Sequence, residues 1–281
     1  MLANVAPPIW PDQTTPLPAG SGAGILGPRF ADIILRNAAS LATDPVAQAA
    51  LAKGQIALLG LPDDTGVAMN NGRIGARGGP TAFRAALAKY GVSSPIDPPA
   101  MNGAGAAVAY PRVVDLGDII LGRDIHHTHD RISETARAII EGGLFPIAIG
   151  GGHDLTYAFV RGVSSAMGSA LDGTYFDAHL DVRPEVGSGM PFRALIEGGF
   201  VDGRGLRCVG LNPLVTSADH AAYFRAKGGI IFHSARTSLE VPAHARHAFV
   251  SLDLDVFDSA FAPGVSALNP SGLSPRELEP L

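Results

Sequence analysis

Residues 144–167 read LFPIAIGGGHDLTYAFVRGVSSAM, and the fold follows from how this stretch changes character. LFPIAIG is a continuous apolar run closed by glycine, as expected of a strand buried on both faces. LTYAFVRGVSSAM, directly after it, has the length and apolar spacing of a helix. Outward in both directions the same rhythm repeats. Strands are expected at 55–61, 112–117, 173–179, 206–211, 229–233 and 247–256, and further helices at 80–90, 130–142 and 217–229. Apolar strands alternating with helices imply an α/β fold with a mostly parallel sheet covered on both faces. Such sheets bind ligands beyond the carboxyl ends of their strands.

The bulk properties narrow the choices further. A chain of 281 residues allows one or two domains. The expected division is a Pro- and Gly-rich arm over residues 1–30, with Trp10 as a possible anchor, and a single α/β domain over residues 31–281. Hydrophobic residues make up 46%, enough for a large core, and charged residues only 17%, below the soluble average of about 25%. The formal net charge of −5, with no basic stripe, argues against nucleic acid as a partner. Cys208 is the only cysteine, so no internal disulfide is expected and a reducing cytoplasm fits. The N-terminus lacks a signal-peptide pattern, and apolar runs stop well short of the roughly 20 residues that span a membrane, so no membrane partner is expected. Ser274 and Pro275 open a helix that the sequence leaves after RELEPL, so a last helix and strand are expected beyond Leu281.

Three expected strand ends carry most of the unusual polar residues. GGGHD (150–154) places His153 after a glycine turn. DAHLD (177–181) sets Asp177, His179 and Asp181 at alternate positions, and DLD (253–255) does the same for Asp253 and Asp255. Alternation along a strand would put each set on one face. Four aspartates converging in one crevice could not all stay ionised unaided. Two divalent cations balance them, and six donors suffice for two ions if two aspartates bridge. Oxygen and imidazole donors without thiolate favour Mn²⁺, with Ni²⁺, Fe²⁺ or Co²⁺ also compatible, over a structural zinc site. Two ions about 3.5–4 Å apart can share a water and lower its pKa, which makes it a nucleophile at neutral pH.

At these residues the sequence resembles the ureohydrolase superfamily, which holds arginase, agmatinase and formimidoylglutamase. GGGHD, FDAHLDVR and SLDLDVFDSAFAPGVSA carry the resemblance, with NNGRIGARGGPTAFRAAL upstream, and it extends over roughly residues 55–275. It implies a three-layer α/β/α fold with a central, mostly parallel sheet. It also implies two Mn²⁺ ions, a small amidine or guanidine substrate, and a homo-oligomer, commonly a trimer or hexamer. His153, Asp177, Asp181 and Asp253 would hold one ion, and Asp177, His179, Asp253 and Asp255 the other, with Asp177 and Asp253 bridging. Asp181 would also take a proton from the attacking water and pass it to the leaving nitrogen. Deacetylases of related fold hold one zinc and use a tandem histidine pair. The single histidine of GGGHD, with Asp181 and Asp255 kept, favours two metals.

Within the superfamily the stretch GSGMPFR (187–193) discriminates. Agmatinases typically carry a histidine where Ser188 stands, and arginases a proton-shuttle histidine near Phe192. GGGHD, DAHLDVR and GSGMPFR together look most similar to formimidoylglutamases, which implies hydrolysis of N-formimidoyl-L-glutamate to L-glutamate and formamide. Arg183 is the expected clamp for a substrate carboxylate, because its guanidinium fork can bind one bidentately, and Ser188 is a second candidate contact. Two departures stand against this. Asp154 replaces the glutamate usual in that subgroup, and GLNPLVTSADHAAYF (210–224) lacks an asparagine near Val215 to Ser217. The alternatives are an agmatinase, an arginase or another guanidino-acid hydrolase releasing urea, and an inactive metal-binding scaffold.

Other polar residues read as structural. DIHHTHD (124–130) is expected to be a solvated loop before a helix capped by Thr128 or Asp130. His220, His244 and His247 have no spacing partner, and His233 reads as a core or surface histidine. Cys208 is expected to be a buried small hydrophobe. Asp63, Asp64, Asn71 and Arg73 could form a substrate rim or a turn.

Overall fold

The computed structural model of the chain describes residues 4–8, 35–36, 56–90, 113–233 and 247–278. Trp10, His244 and nearly all of the expected arm lie outside these residues. Among the described residues the strands form two sheets. In the first, β1 (Val5–Ala6), β4 (Val113–Ile119), β3 (Ile56–Gly60) and β5 (Phe145–Ile149) follow in that order, and β2 (Leu35–Arg36) also pairs with β4. Every pairing in it is parallel except that of β1 with β4. In the second, β8 (Ile230–Phe232), β7 (Val201–Val209), β6 (Leu171–Phe176) and β9 (Ala248–Leu252) are parallel throughout. Both sheets are mostly parallel and carry helices, consistent with the expected three-layer α/β/α fold, and β5 and β9 are each hydrogen-bonded to one described neighbour.

Among the described residues the α-helices are α1 (Thr65–Met69), α2 (Gly79–Leu87), α3 (Ile125–Glu141), α4 (Asp154–Met167), α5 (Pro191–Glu197), α6 (Ala218–Ala226) and α7 (Pro275–Leu278). None of the described helices is long and apolar enough to cross a membrane. Helix α3 begins five residues earlier than the sequence reading placed it. Its cap is Asp124, whose side chain accepts the His127 amide at 2.9 Å, while Thr128 Oγ1 instead receives the Gly122 amide. Ser274 does open α7: its amide and its hydroxyl both donate to Glu277 Oε2, at 2.8 and 2.9 Å.

Helix α4 joins the two halves. Its Leu155 and Ala158 pack into the core under the first sheet with Leu59, Leu116 and Ile132. Its Val160 packs into the core of the second with Tyr175, Phe192, Cys208 and Phe224. Gly162 lets α3 and α4 approach closely, because a Cβ there would stand 2.3 Å from the Ser133 carbonyl oxygen. A helix wedged between both cores holds its N-terminus still relative to both sheets, and that N-terminus is His153.

A buried ion network anchors α2 beneath β4. Arg84 is 1% exposed and binds both Asp115 oxygens, at 2.8 and 2.9 Å, and Asp118 at 2.6 Å. The bidentate fork matches the carboxylate geometry that makes arginine suited to buried pairs.

Candidate metal centre

The turn between β5 and α4 is built by glycine. Gly151 has φ 92°, and a Cβ on it would lie 2.3 Å from the Asp63 carbonyl oxygen and 2.5 Å from that of Leu61. Only glycine combines that conformation with that approach. The Gly152 amide donates to Asp63 O at 2.8 Å, which ties the ends of β3 and β5 together. His153 follows as the residue that caps α4. Phe192 lies edge-on to its ring, with centroids 5.5 Å apart, and is itself stacked on Tyr175.

The two aspartate motifs reach the same place by a route that strand alternation did not foresee. Strand β6 ends at Phe176 and β9 at Leu252, so all five residues of interest lie beyond their strands. Each motif instead folds back on itself. Asp177 Oδ1 accepts the His179 amide at 2.7 Å, and Asp253 Oδ1 accepts the Asp255 amide at 2.9 Å. These are paired Asx turns, which a carboxylate two residues ahead of an amide forms readily. Backbone bonds from Asp177 to Val209 (3.0 Å) and from Asp253 to Phe176 (2.9 Å) register the two turns side by side. Asp181 sits at φ 46°, in the left-handed region sparsely used by side-chain-bearing residues.

Two donor groups result. His153, Asp177, Asp181 and Asp253 form one, and Asp177, His179 and Asp255 the other, with donor atoms of each group within 4.8 Å of one another. His153 Nδ1 lies 2.8 Å from Asp181, 3.2 Å from Asp177 and 3.2 Å from Asp253. His179 Nδ1 lies 3.3 Å from Asp177 and 3.1 Å from Asp255. Asp177 belongs to both groups, one oxygen toward each histidine, as a bridging carboxylate must. Asp253, the second expected bridge, turns Oδ2 toward His153 while Oδ1 receives the Asp255 amide.

Electrostatics make the cluster a poor resting place for bare charges. Burial and the Asp181 charge push Asp177 up to about 6. Burial and the Asp255 charge push Asp253 up to about 8. Burial opposes a charged His179, but hydrogen bonds to Asp177 and Asp255 outweigh it and raise the ring to about 11. Asp177 Oδ2 is buried without a hydrogen bond. The His153 ring, 3.2 Å away, is the group that stands nearest to it, so burying this oxygen is costly and a cation would satisfy it. The all-oxygen-and-imidazole donor set therefore fits two hard divalent ions.

Beside the cluster opens a cavity of about 140 Å³, with His179, Leu180 and Asp181 in its lining. Arg183 borders it, its stem packed over Gly189 and its amide bonded to Gly189 O at 2.8 Å. The remaining lining comes from residues 215–217 and His220, a histidine the sequence reading had set aside. Only the tertiary approach of α6 to the 177–183 loop reveals His220. Ser188 is absent from this lining. It accepts a hydrogen bond from Asn70 Nδ2 at 3.0 Å.

Behind the cluster, the expected solvated loop at 124–130 proves to be the first turns of α3, and His129 is buried there. Its Nε2 lies 2.8 Å from Asp154 Oδ2, one residue past His153. Asp154, the departure noted in GGGHD, is thus occupied in a pair that a sequence window of five residues could not show. Asp63 and Asp64 serve turns: Asp63 accepts the Thr65 amide and hydroxyl, and Asp64 holds Gly75 and Arg77. Arg73 clamps the loop at 264–266 through its side chain and amide. Cys208 is fully buried, as expected. His233 is exposed, with Nδ1 3.3 Å from Leu211 O, and His247 is exposed at the start of β9.

A mostly parallel α/β fold with paired aspartate turns facing a capping histidine is the frame of one family, and residues 54–281 match it. The chain belongs to the arginase family. Among its relatives is a formimidoylglutamase of Halobacterium salinarum, 36% identical over 238 residues, covering 79% of this chain and 72% of the relative. A solved structure of Trypanosoma cruzi formiminoglutamase with Mn²⁺ superposes with a TM-score of 0.71 at 28% identity, over 80% of this chain and 78% of the other. The proclavaminate amidino hydrolase of Streptomyces clavuligerus follows at a TM-score of 0.65 and 27% identity, over 80% and 76%.

Proposed function

We propose that the chain is a binuclear-metal hydrolase of a linear amidine, cleaving N-formimidoyl-L-glutamate to L-glutamate and formamide. The observation that carries this reading is the pair of donor groups sharing Asp177 beside a cavity bordered by Arg183. The formimidoylglutamase relatives support the substrate. His153, Asp177, Asp181 and Asp253 would hold one ion and Asp177, His179, Asp253 and Asp255 the other, with Mn²⁺ preferred and Ni²⁺ compatible. When bound, the ions supply Lewis acidity that lowers the pKa of water at neutral pH.

The chain's own residues do the rest. Arg183 binds one substrate carboxylate and so aims the amidine carbon at the cluster. Asp181 accepts a proton from the attacking water and delivers it to the nitrogen that leaves with glutamate. Water oxygen becomes the formamide oxygen as the bond from the amidine carbon to that nitrogen breaks. Phe192 and the Tyr175 beneath it keep the His153 ring in one orientation. Ser188 would support the rim through Asn70 rather than reach the reacting atoms.

A second reading is hydrolysis of a guanidino acid with release of urea, favoured by the likeness to the proclavaminate enzyme. Assaying formamide and urea together on Mn²⁺-loaded protein separates the two. Formamide from N-formimidoyl-L-glutamate supports the proposal. Urea from a guanidino acid, with N-formimidoyl-L-glutamate untouched, overturns it in favour of the second. Turnover of neither points to a metal-binding scaffold. The reading also places the protein in the cytoplasm, for which the lone Cys208 speaks, and in a homo-oligomer, a trimer or hexamer, which light scattering would size.

A further inference from the structure

Two groups that can carry positive charge border the cavity away from its metal-facing lining: Arg183 and His220. Among the described residues, neither the Arg183 guanidinium nor the His220 ring makes a hydrogen bond or ion pair. Hydrogen-bond donors left unpaired around a concave site are groups open to an anion. His220 lies in the first turn of α6, and its amide donates to the capping Ser217 Oγ at 3.2 Å, so its backbone is held in place. Ser217 and Thr216, at the same helix end, also line the cavity, and the positive end of the helix dipole adds to the attraction.

We propose that His220 determines specificity by binding the side-chain carboxylate of a dicarboxylic amidine, with Arg183, two residues from Asp181, binding the α-carboxylate nearer the reacting nitrogen. The inference rests on the amidine hydrolase reading above and deepens it. One guanidinium fork satisfies one carboxylate. With the amidine set against His179 and Asp181, a second carboxylate in the same cavity has the His220 ring as its remaining nitrogen donor, with Ser217 and Thr216 beside it. Among the described residues, the only acid in the lining is Asp181, which faces His153 at 2.8 Å. The cavity therefore selects for a substrate with two negative groups beyond its reacting end. Sequence spacing gives no sign of this, because 37 residues separate the two cationic positions along the chain.

The test compares N-formimidoyl-L-glutamate with N-formimidoyl-L-glutamine, the same shape with one carboxylate neutralised, on Mn²⁺-loaded wild type and His220→Ala. The expected result is a KM for the glutamate derivative raised about 10-fold or more, as for a lost charged hydrogen bond, with kcat within about threefold. Kinetics on the glutamine derivative should not change. Calorimetry of L-glutamate and L-glutamine gives a readout without turnover, and only L-glutamate binding should weaken in the variant. Equal losses on both compounds, or no loss on either, overturn the proposal. If wild type hydrolyses neither derivative, the amidine reading fails, and the calorimetry alone then decides the carboxylate site. Wild type that neither turns over the derivatives nor binds L-glutamate overturns both.

Discussion

His129 on α3 and Asp154 on α4 form a buried pair, Nε2 to Oδ2 at 2.8 Å, immediately behind the metal-facing His153. Asp154 Oδ1 has no hydrogen bond, and a Cβ added to Gly66 or Gly152 would collide with it. His129 is therefore the neighbour on which the buried carboxylate depends. Removing one member of a buried hydrogen-bonded pair costs about 1–3 kcal/mol, since the other stays behind unsatisfied. His129→Ala should lose stability on that scale in urea unfolding and bind the first metal ion more weakly, because the His153 turn loses its support. Unfolding curves that superimpose on wild type would show that the pair does not hold the turn.

The two donor groups make a stoichiometric prediction. Asp177 serves both groups and Asp255 only the second. Asp255→Ala should retain close to one Mn²⁺ after dialysis, and Asp177→Ala should retain neither ion. Elemental analysis reads both. Full loading of Asp177→Ala would refute its bridging position.

Metal-free protein should lose stability as pH rises from 6.5 to 8. His179 is raised to about 11 in the fold from 6.5, so the stabilisation from its bound proton is complete below 6.5 and is lost as pH climbs toward 11. Asp253 is raised to about 8 from 3.8, first by burial and then by Asp255, so ionising it in the fold costs stability increasingly up to about 8. Both groups bind more protons folded than unfolded across this interval, and their effects add. Metal affinity should rise over the same interval, because the ligands must shed those protons. Thermal melts of chelated protein at several pH values check the first statement, and a flat or rising Tm would contradict it.

Asp181→Asn tests the proton carrier. Asparagine also tolerates left-handed backbone, so the turn at φ 46° should survive and the melting curve should stay near wild type. Loss of a general base lowers kcat by about 10²- to 10⁴-fold. A variant with kcat within tenfold of wild type would remove Asp181 from that role.

The alternation of β and α, the strands that frame the site and the six residues that the fold brings together were legible in the sequence, because each leaves a local trace. Buried strands read as apolar runs, and carboxylates interrupting such runs are too costly to be accidental. The mechanism of convergence was not legible. The D-x-H and D-x-D spacing suggested a strand face, yet the chain uses Asx turns past the strand ends, and both geometries share the two-residue period.

What the sequence determined alone was therefore the class of fold and the identity of the chemical groups. Apolar periodicity and donor type are properties of short segments. The tertiary structure decided which groups meet. It buried His129 against Asp154, made Asp177 common to both donor groups, and brought His220 to the same cavity as Arg183. These depend on distances between residues 24 to 78 positions apart, set by how α4 wedges between two cores and how α6 packs against the second. No local pattern encodes such distances, because packing and not periodicity fixes them.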